Sequence, residues 1–461
     1  NVQLFNNGTV TDTYHSSAIF LNKSNLNVVA SGGVFSIAKN LNHPGNGPSA
    51  IYMYSSGSDK ISFKSENGGF IKLSGGITSN NVNNQVNFDG GSIYSDMVFN
   101  TLKININNGS QIHFGASSAF NNADVTINQG AMIFTDGVTR THAVNINNPN
   151  TNPTSYLQID MDLANNTSDK FTGTFSGNAM QLSSVNIMSD AAGKSFNIGV
   201  PVTTGSNSHW KTYTNDYGYY FTASGTTVTA NQTSTMSLDS VWRTGGLTNS
   251  FSLTKDYVMP ALTSGITCGF NSGEGMFLYG NKHSIKGVSA GKDTFMLGKA
   301  GAYLSVSGVG EYDYSTGTVK ASWNGNTSTD GQGIFEVEGG DLTLKDSVFY
   351  NNKVSDGGAV FSITSGNLKI HNSVFVSNIG TNSGSLGGAG TVFASSPVVI
   401  ADSLFKSNNA DRGGALAYGV YASNSKLYIT GSTFEGNTAN SIGVAIYSVG
   451  TTDITNSTFI N

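Results

Sequence analysis

Leu342-Thr-Leu344-Lys-Asp-Ser-Val-Phe349-Tyr-Asn-Asn352 decides the reading of this chain, because the phrase comes back four more times before the sequence ends. It returns as Leu368-Lys-Ile370-His-Asn-Ser-Val-Phe375-Val-Ser-Asn378, then as Val398-Val-Ile400-Ala-Asp-Ser-Leu-Phe405-Lys-Ser-Asn408. Leu427-Tyr-Ile429-Thr-Gly-Ser-Thr-Phe434-Glu-Gly-Asn437 follows, and Thr452-Asp-Ile454-Thr-Asn-Ser-Thr-Phe459-Ile-Asn461 closes the series. Successive Phe positions lie 26, 30, 29 and 25 residues apart. Between them runs a second phrase: Gly357-Gly358-Ala-Val-Phe361-Ser-Ile363, Gly387-Gly388-Ala389, Gly413-Gly414-Ala415 and Gly443-Val-Ala-Ile-Tyr447.

Leu342 and Leu344 stand two apart, so both point to one face of a strand. The Asp-, Asn- or Gly-Ser step that follows is turn chemistry. Phe349 then returns to the inside, and Asn352 can stack on the amide of the next copy, each satisfying the other. The Gly-Gly pair marks a backbone turn that a Cβ would obstruct. Apolar spacing of three and four, which a helix needs, is missing from this segment. One repeat buries little by itself and becomes stable when stacked on its copies. The expected fold is all-β, a right-handed parallel β-helix or solenoid, most regular over residues 331–461.

Working outward, the first 330 residues use the same grammar with weaker spelling. Ile104-Asn-Ile106-Asn-Asn-Gly109-Ser-Gln-Ile112 is matched 21 residues later by Val125-Thr-Ile127-Asn-Gln-Gly130-Ala-Met-Ile133, and Val144-Asn-Ile146 comes 19 further on. Residues 1–200 therefore read as irregular coils and 258–461 as more regular ones. Residues 201–257 fit worst. They hold Trp210, Tyr217, Tyr219, Tyr220, Phe221 and Trp242. Either these coils are longer, with aromatic core stacks, or a loop or hairpin excursion presents Trp210, Tyr217, Tyr219 and Tyr220 to a ligand. A second aromatic group, Tyr303, Tyr312, Tyr314 and Trp323, is either core or a break between two halves.

Composition narrows the function. Of 461 residues only 11% are charged and 57 are Gly, with a net charge of −5. So few cations argue against a nucleic-acid binder working by phosphate neutralisation. No apolar run is long enough for a membrane-spanning helix. Aromatic residues make up 10% of the chain, too many for a disordered segment. The single cysteine, Cys268, rules out an intrachain disulfide and reads as a buried structural thiol. The chain opens on Asn1 rather than Met, which reads as a processed or excised segment.

Catalysis is the rival reading, since a glycosidase needs paired carboxylates at fixed separation. Asp346 and Asp402 occupy one repeat position two copies apart, but the other copies carry Asn372, Gly431 and Asn456 there. Asp, Asn and Gly are what a turn demands. Asp160 with Asp162, and Glu336 with Glu338, share strand faces and read as solvated rather than as Ca²⁺ ligands. The histidines (15, 43, 113, 142, 209, 283 and 371) show no zinc spacing. No cofactor is implied.

The alternation of Gly-Gly-Ala with Phe-x-x-Asn resembles the polymorphic membrane proteins of chlamydiae and similar repeat proteins of other bacteria. The resemblance covers about residues 331–461. It rests on Phe349/Asn352, Phe375/Asn378, Phe405/Asn408, Phe434/Asn437 and the pairs at 357–358, 387–388 and 413–414. It implies an autotransporter passenger at the bacterial cell surface, held at the outer membrane by a region outside this chain. It further implies an adhesin role toward a protein or glycan of a host or neighbouring cell. The chain is poorer in Cys than that family, and Val444 replaces one Gly. The expectation is thus a non-catalytic surface-exposed or secreted adhesin. A homo-oligomeric stalk, filament or surface-layer subunit is the first alternative, and a β-helical polysaccharide lyase or hydrolase the second.

Overall fold

The computed structural model describes residues 2–4, 17–38, 50–54, 57–151, 154–205, 211–245, 249–260, 266–287, 295–328, 333–355, 357–381, 389–419 and 425–460. The protein is all-β and dominated by long parallel sheets. Among the described residues a single short helix, Leu238–Thr244, interrupts the strands. The chain forms two compact units, one from residues 1–207 with 220–232, the other from 208–219 with 233–461.

In the second unit the repeat phrase becomes three strand types that recur in a fixed order. The Phe335–Lys345 strand is followed by Val348–Tyr350 and Lys353–Val354, and the next copy by Phe361–His371, Val374–Val376 and Ile379–Gly380. Each strand pairs in parallel with its counterpart one repeat later. Leu342 faces Leu368, Phe349 faces Phe375, and Lys353 faces Ile379. The pairing continues through Phe405, Phe434 and Phe459. Because side chains alternate along a strand, this register sends every repeat Phe to the same side. Phe349, Phe375, Phe405 and Phe434 are buried. Their rings stack 4.8–5.5 Å apart between centroids, with interplanar angles of 4–14°. Burying one such ring contributes on the order of 1.5–3 kcal/mol, and the column is one apolar spine of this unit beside the buried rows Leu342/Leu368/Val398/Leu427 and Leu344/Ile370/Ile400/Ile429.

The first unit builds its core the same way, mixing aliphatic rows with buried aromatic stacks such as Phe63 on Phe88 and Phe99 on Phe120. Phe35, Ile71, Ile93, Ile112, Met132, Leu157 and Leu182 form one buried row across successive parallel strands. Two sequence alignments need correction here. Ile112 registers with Met132 rather than Ile133, and Val125 pairs with Ile146 rather than Val144. The turn between the strands absorbs a residue, with Ser110 rather than Gly109 facing Gly130.

Around the stretch 201–257 antiparallel pairs join the parallel ones, which continue at Val202, Thr212–Thr214 and Asn249–Ser252. Within the second unit Thr212–Thr214 runs antiparallel to residues 218–219. Within the first, Lys194–Asn197 runs antiparallel to residues 227–230. The Leu238–Thr244 helix seats Trp242 in the core, where its Nε1 donates to the Ile266 carbonyl at 2.9 Å. A further antiparallel hairpin, Glu311–Asp313 with Thr318–Ala321, interrupts the second unit. Tyr312 and Tyr314 belong to this hairpin, while Trp323 is buried and stacks on Phe349.

Candidate functional site

The repeated inner columns are saturated with their own bonds. Asn352 Nδ2 donates to Asn378 Oδ1 (2.9 Å) and to the Trp323 carbonyl (3.0 Å). Asn378 repeats this toward Asn408 and Phe349, and Asn408 toward Asn437 and Phe375. All four amides are buried. The ladder begins one repeat earlier than the sequence phrase indicates, at Asn326, whose Nδ2 donates to Asn352 Oδ1 at 2.9 Å. Its signal is Trp323-x-x-Asn326, the same motif with Trp in place of Phe.

A hydroxyl ladder runs beside it. Ser347, Ser373, Ser403 and Ser432 each accept at Oγ from the backbone N–H of the preceding step and donate to a carbonyl two residues back. The serine common to all five phrases is thus a rung as well as turn chemistry. Gly357 and Gly413 hold φ of +68° and +62°, and a Cβ on Gly358 or Gly414 would come within 2.1–2.2 Å of a carbonyl oxygen. Gly387 and Gly388 lie outside the described residues.

The proposed ligand-contact aromatics do not form one patch. Tyr219 is fully buried, so it is a core residue; facing Thr212 across the antiparallel pair turns its ring inward. Tyr217 is exposed, Tyr220 is half-buried, and Trp210 lies outside the described residues.

The acidic pairs resolve differently. Asp346, Asn372, Asp402, Gly431 and Asn456 all take φ between +45° and +59°. That is the left-handed region, where Asn, Asp and Gly are tolerated. Asp346 Oδ1 accepts from Asn372 Nδ2 (2.6 Å), and Asp402 lies 3.5 Å from His371 Nε2. These carboxylates serve turns.

Asp160 is buried, not solvated. Its Oδ2 accepts from the backbone N–H groups of Asp136, Gly137 and Val138 at 2.7–3.0 Å, and its Oδ1 from Asn186 Nδ2 at 2.6 Å. Asp169 caps the same cluster, accepting from the N–H of Asp160 and of Arg140 and lying 3.1 Å from His142 Nε2. Burial, then the charges of Asp169 and Asp136, push the Asp160 carboxyl well above the usual range. The cluster pins the 136–140 turn to its strand. Asp162, by contrast, is half-buried. Glu336 is also buried while Glu338 is exposed. Burial and the charge of Glu338 push Glu336 up to about 7.

Among the described residues no group of three or more His, Cys, Asp or Glu could hold a metal ion. His15, His43 and His209 lie outside them. His113 stacks on Tyr94 at 4.5 Å. Cys268 is buried in the apolar core. An open cavity of about 150 Å³ lies beside Gln111, Gln129, Thr154 and Tyr156.

The outward positions carry what varies. Next to the aromatic column Trp323, Phe349, Phe375, Phe405, Phe434 stand Asn324, Tyr350, Val376, Lys406 and Glu435. The chain matches no family model, no curated protein and no solved structure. Among the described residues no helix is long and apolar enough to cross a membrane.

Proposed function

We propose that each unit winds as a right-handed parallel β-helix, and that the chain is a non-catalytic adhesin segment displayed at a bacterial cell surface or secreted. The observation that carries this reading is the contrast between columns in the second unit. Inside, an aromatic ring repeats, one Trp and then four Phe; outside, at the adjacent position, an amide, a phenol, an aliphatic, a cation and an anion follow one another. A scaffold that fixes its interior and leaves its exterior unconstrained suits display of binding chemistry. The resemblance to polymorphic membrane proteins points the same way, toward a passenger anchored through a region outside this chain.

The partner is a protein or glycan on a host or neighbouring cell. Beads coated with the folded chain are expected to attach to such cells, and soluble chain to compete the attachment away. Beads that attach no better than albumin-coated ones, or turnover of a polysaccharide that Asp346→Ala or Asp402→Ala abolishes, would overturn the reading.

A further inference from the structure

In the first unit one outward row differs from the rest. Phe20, Tyr52, Thr78, Asn100 and Asn121 face one another in register across five successive parallel strands. Tyr54 flanks the row, one outward position along from Tyr52. Phe20 is 36% exposed and Tyr54 48%. The rings of Phe20, Tyr52 and Tyr54 cluster with centroids 5.7–6.4 Å apart. Single exposed apolar residues are ordinary, but three clustered aromatics on a polar surface are not. The sequence signal is the pair Ile19-Phe20-Leu21 and Ile51-Tyr52-Met53-Tyr54, in which aromatics take the outward parity between aliphatics.

Beyond the rings the row turns to hydroxyl and amide. Asn100 Nδ2 donates to Thr78 Oγ1 (3.1 Å), and Asn121 Nδ2 donates to Asn100 Oδ1 (2.8 Å). An amide has two N–H donors and two acceptor lone pairs, so these bonds leave capacity on both Asn side chains. No member of the row is charged. Strands succeed one another about every 4.8 Å, close to the advance per pyranose ring in an extended β-linked glycan.

We propose that this row is a binding track for a neutral, extended β-linked glycan. The chain of sugars lies across the strands, its C–H surfaces against Phe20, Tyr52 and Tyr54 and its hydroxyls bonded to Thr78, Asn100 and Asn121. The aromatics supply desolvated apolar contact and the amides fix orientation, the division of labour common in ligand sites. The lack of charge sets the track against polyanionic glycans. The proposal rests on the adhesin reading and names the ligand class of one face.

Calorimetric titration of the whole chain with cellobiose, cellohexaose, chitohexaose and polygalacturonate tests it. Binding is expected for at least one neutral hexasaccharide, and more weakly for the disaccharide, because a longer ligand spans more of the row. Tyr54→Ser and Asn121→Lys change exposed side chains and are each expected to weaken hexasaccharide binding about tenfold, or ~1.4 kcal/mol. Their circular dichroism should match the parent. Hexasaccharide binding unaffected by both variants, or binding of polygalacturonate alone, would overturn the track. If no glycan binds while coated beads still attach to cells, the track falls and the adhesin reading stands. Failure of both removes the adhesin reading as well.

Discussion

Asn378 makes four side-chain hydrogen bonds in a buried setting, accepting two from Asn352 and donating to Asn408 and to the Phe349 carbonyl. Asn378→Ala therefore leaves the backbone N–H of Asn352 and one of its two Nδ2 N–H bonds without an acceptor, the other still reaching the Trp323 carbonyl. Each unsatisfied buried group costs about 1–3 kcal/mol, so the variant should lose about 3 kcal/mol or more, read as a lower urea midpoint. Asp402 tests the opposite expectation. Its φ of +51° is matched by +59° at Gly431. Asp402→Gly should stay within about 1 kcal/mol of the parent. Asp402→Val should cost more than the ~1–2 kcal/mol that a left-handed residue carries. At this scale the sequence was most readable where spacing was strict. Phe349, Asn352 and their equivalents follow from counting. The burial of Asp160 and Glu336 does not, because parity along a strand says which face a residue takes but not what covers that face. Tyr219 stayed open between core and ligand contact for the converse reason, a local antiparallel turn that reassigns inside and outside.

The element scale is set by register. The Phe335–Lys345 strand carries Glu336 between Phe335 and Val337, and Glu336 pairs in register with Ser362. Its carboxyl, about 7 when folded against an ordinary 4.5, binds its proton more tightly in the folded chain. Stability from this group is thus full below about pH 4.5 and is lost as pH rises through about 7. Glu336→Gln should flatten the melting temperature over that window, with parent and variant compared by thermal denaturation at pH 4.5 and 7.5. An unchanged slope would show that Glu336 is solvated after all. Strand existence in the repeats was legible from period-two alternation. The Glu311–Ala321 hairpin was not, since its Tyr312 and Tyr314 carry the same alternation as a ladder strand, and only the return pairing to Thr318 and Val319 distinguishes them.

Across the whole molecule cohesion comes from stacked columns with no covalent staple. Cys268 is the only cysteine and is buried. The denaturation midpoint should be the same with and without a reductant. A thiol reagent should find one equivalent only after unfolding, and rapid labelling of the folded chain would contradict the buried placement. All-β character and parallel stacking in the repeats were legible from the five phrases. The chain passes between the two units within residues 207–233, inside the aromatic-rich 201–257 stretch that fits the repeats worst; that 208–219 and 220–232 fall in different units was not legible, because no repeat phrase runs through either segment.

The spacing of the Asn rungs has a genetic corollary. From Leu342 to Asn352, Leu368 to Asn378, Val398 to Asn408 and Leu427 to Asn437 the count of residues never changes, while the intervals between these blocks do. A codon gained or lost inside a block would swap core for surface in every residue up to the next turn, and a partner strand on either side would reject it. Insertions and deletions in this gene should therefore accumulate between the blocks, and larger length differences between related chains should come as whole repeats.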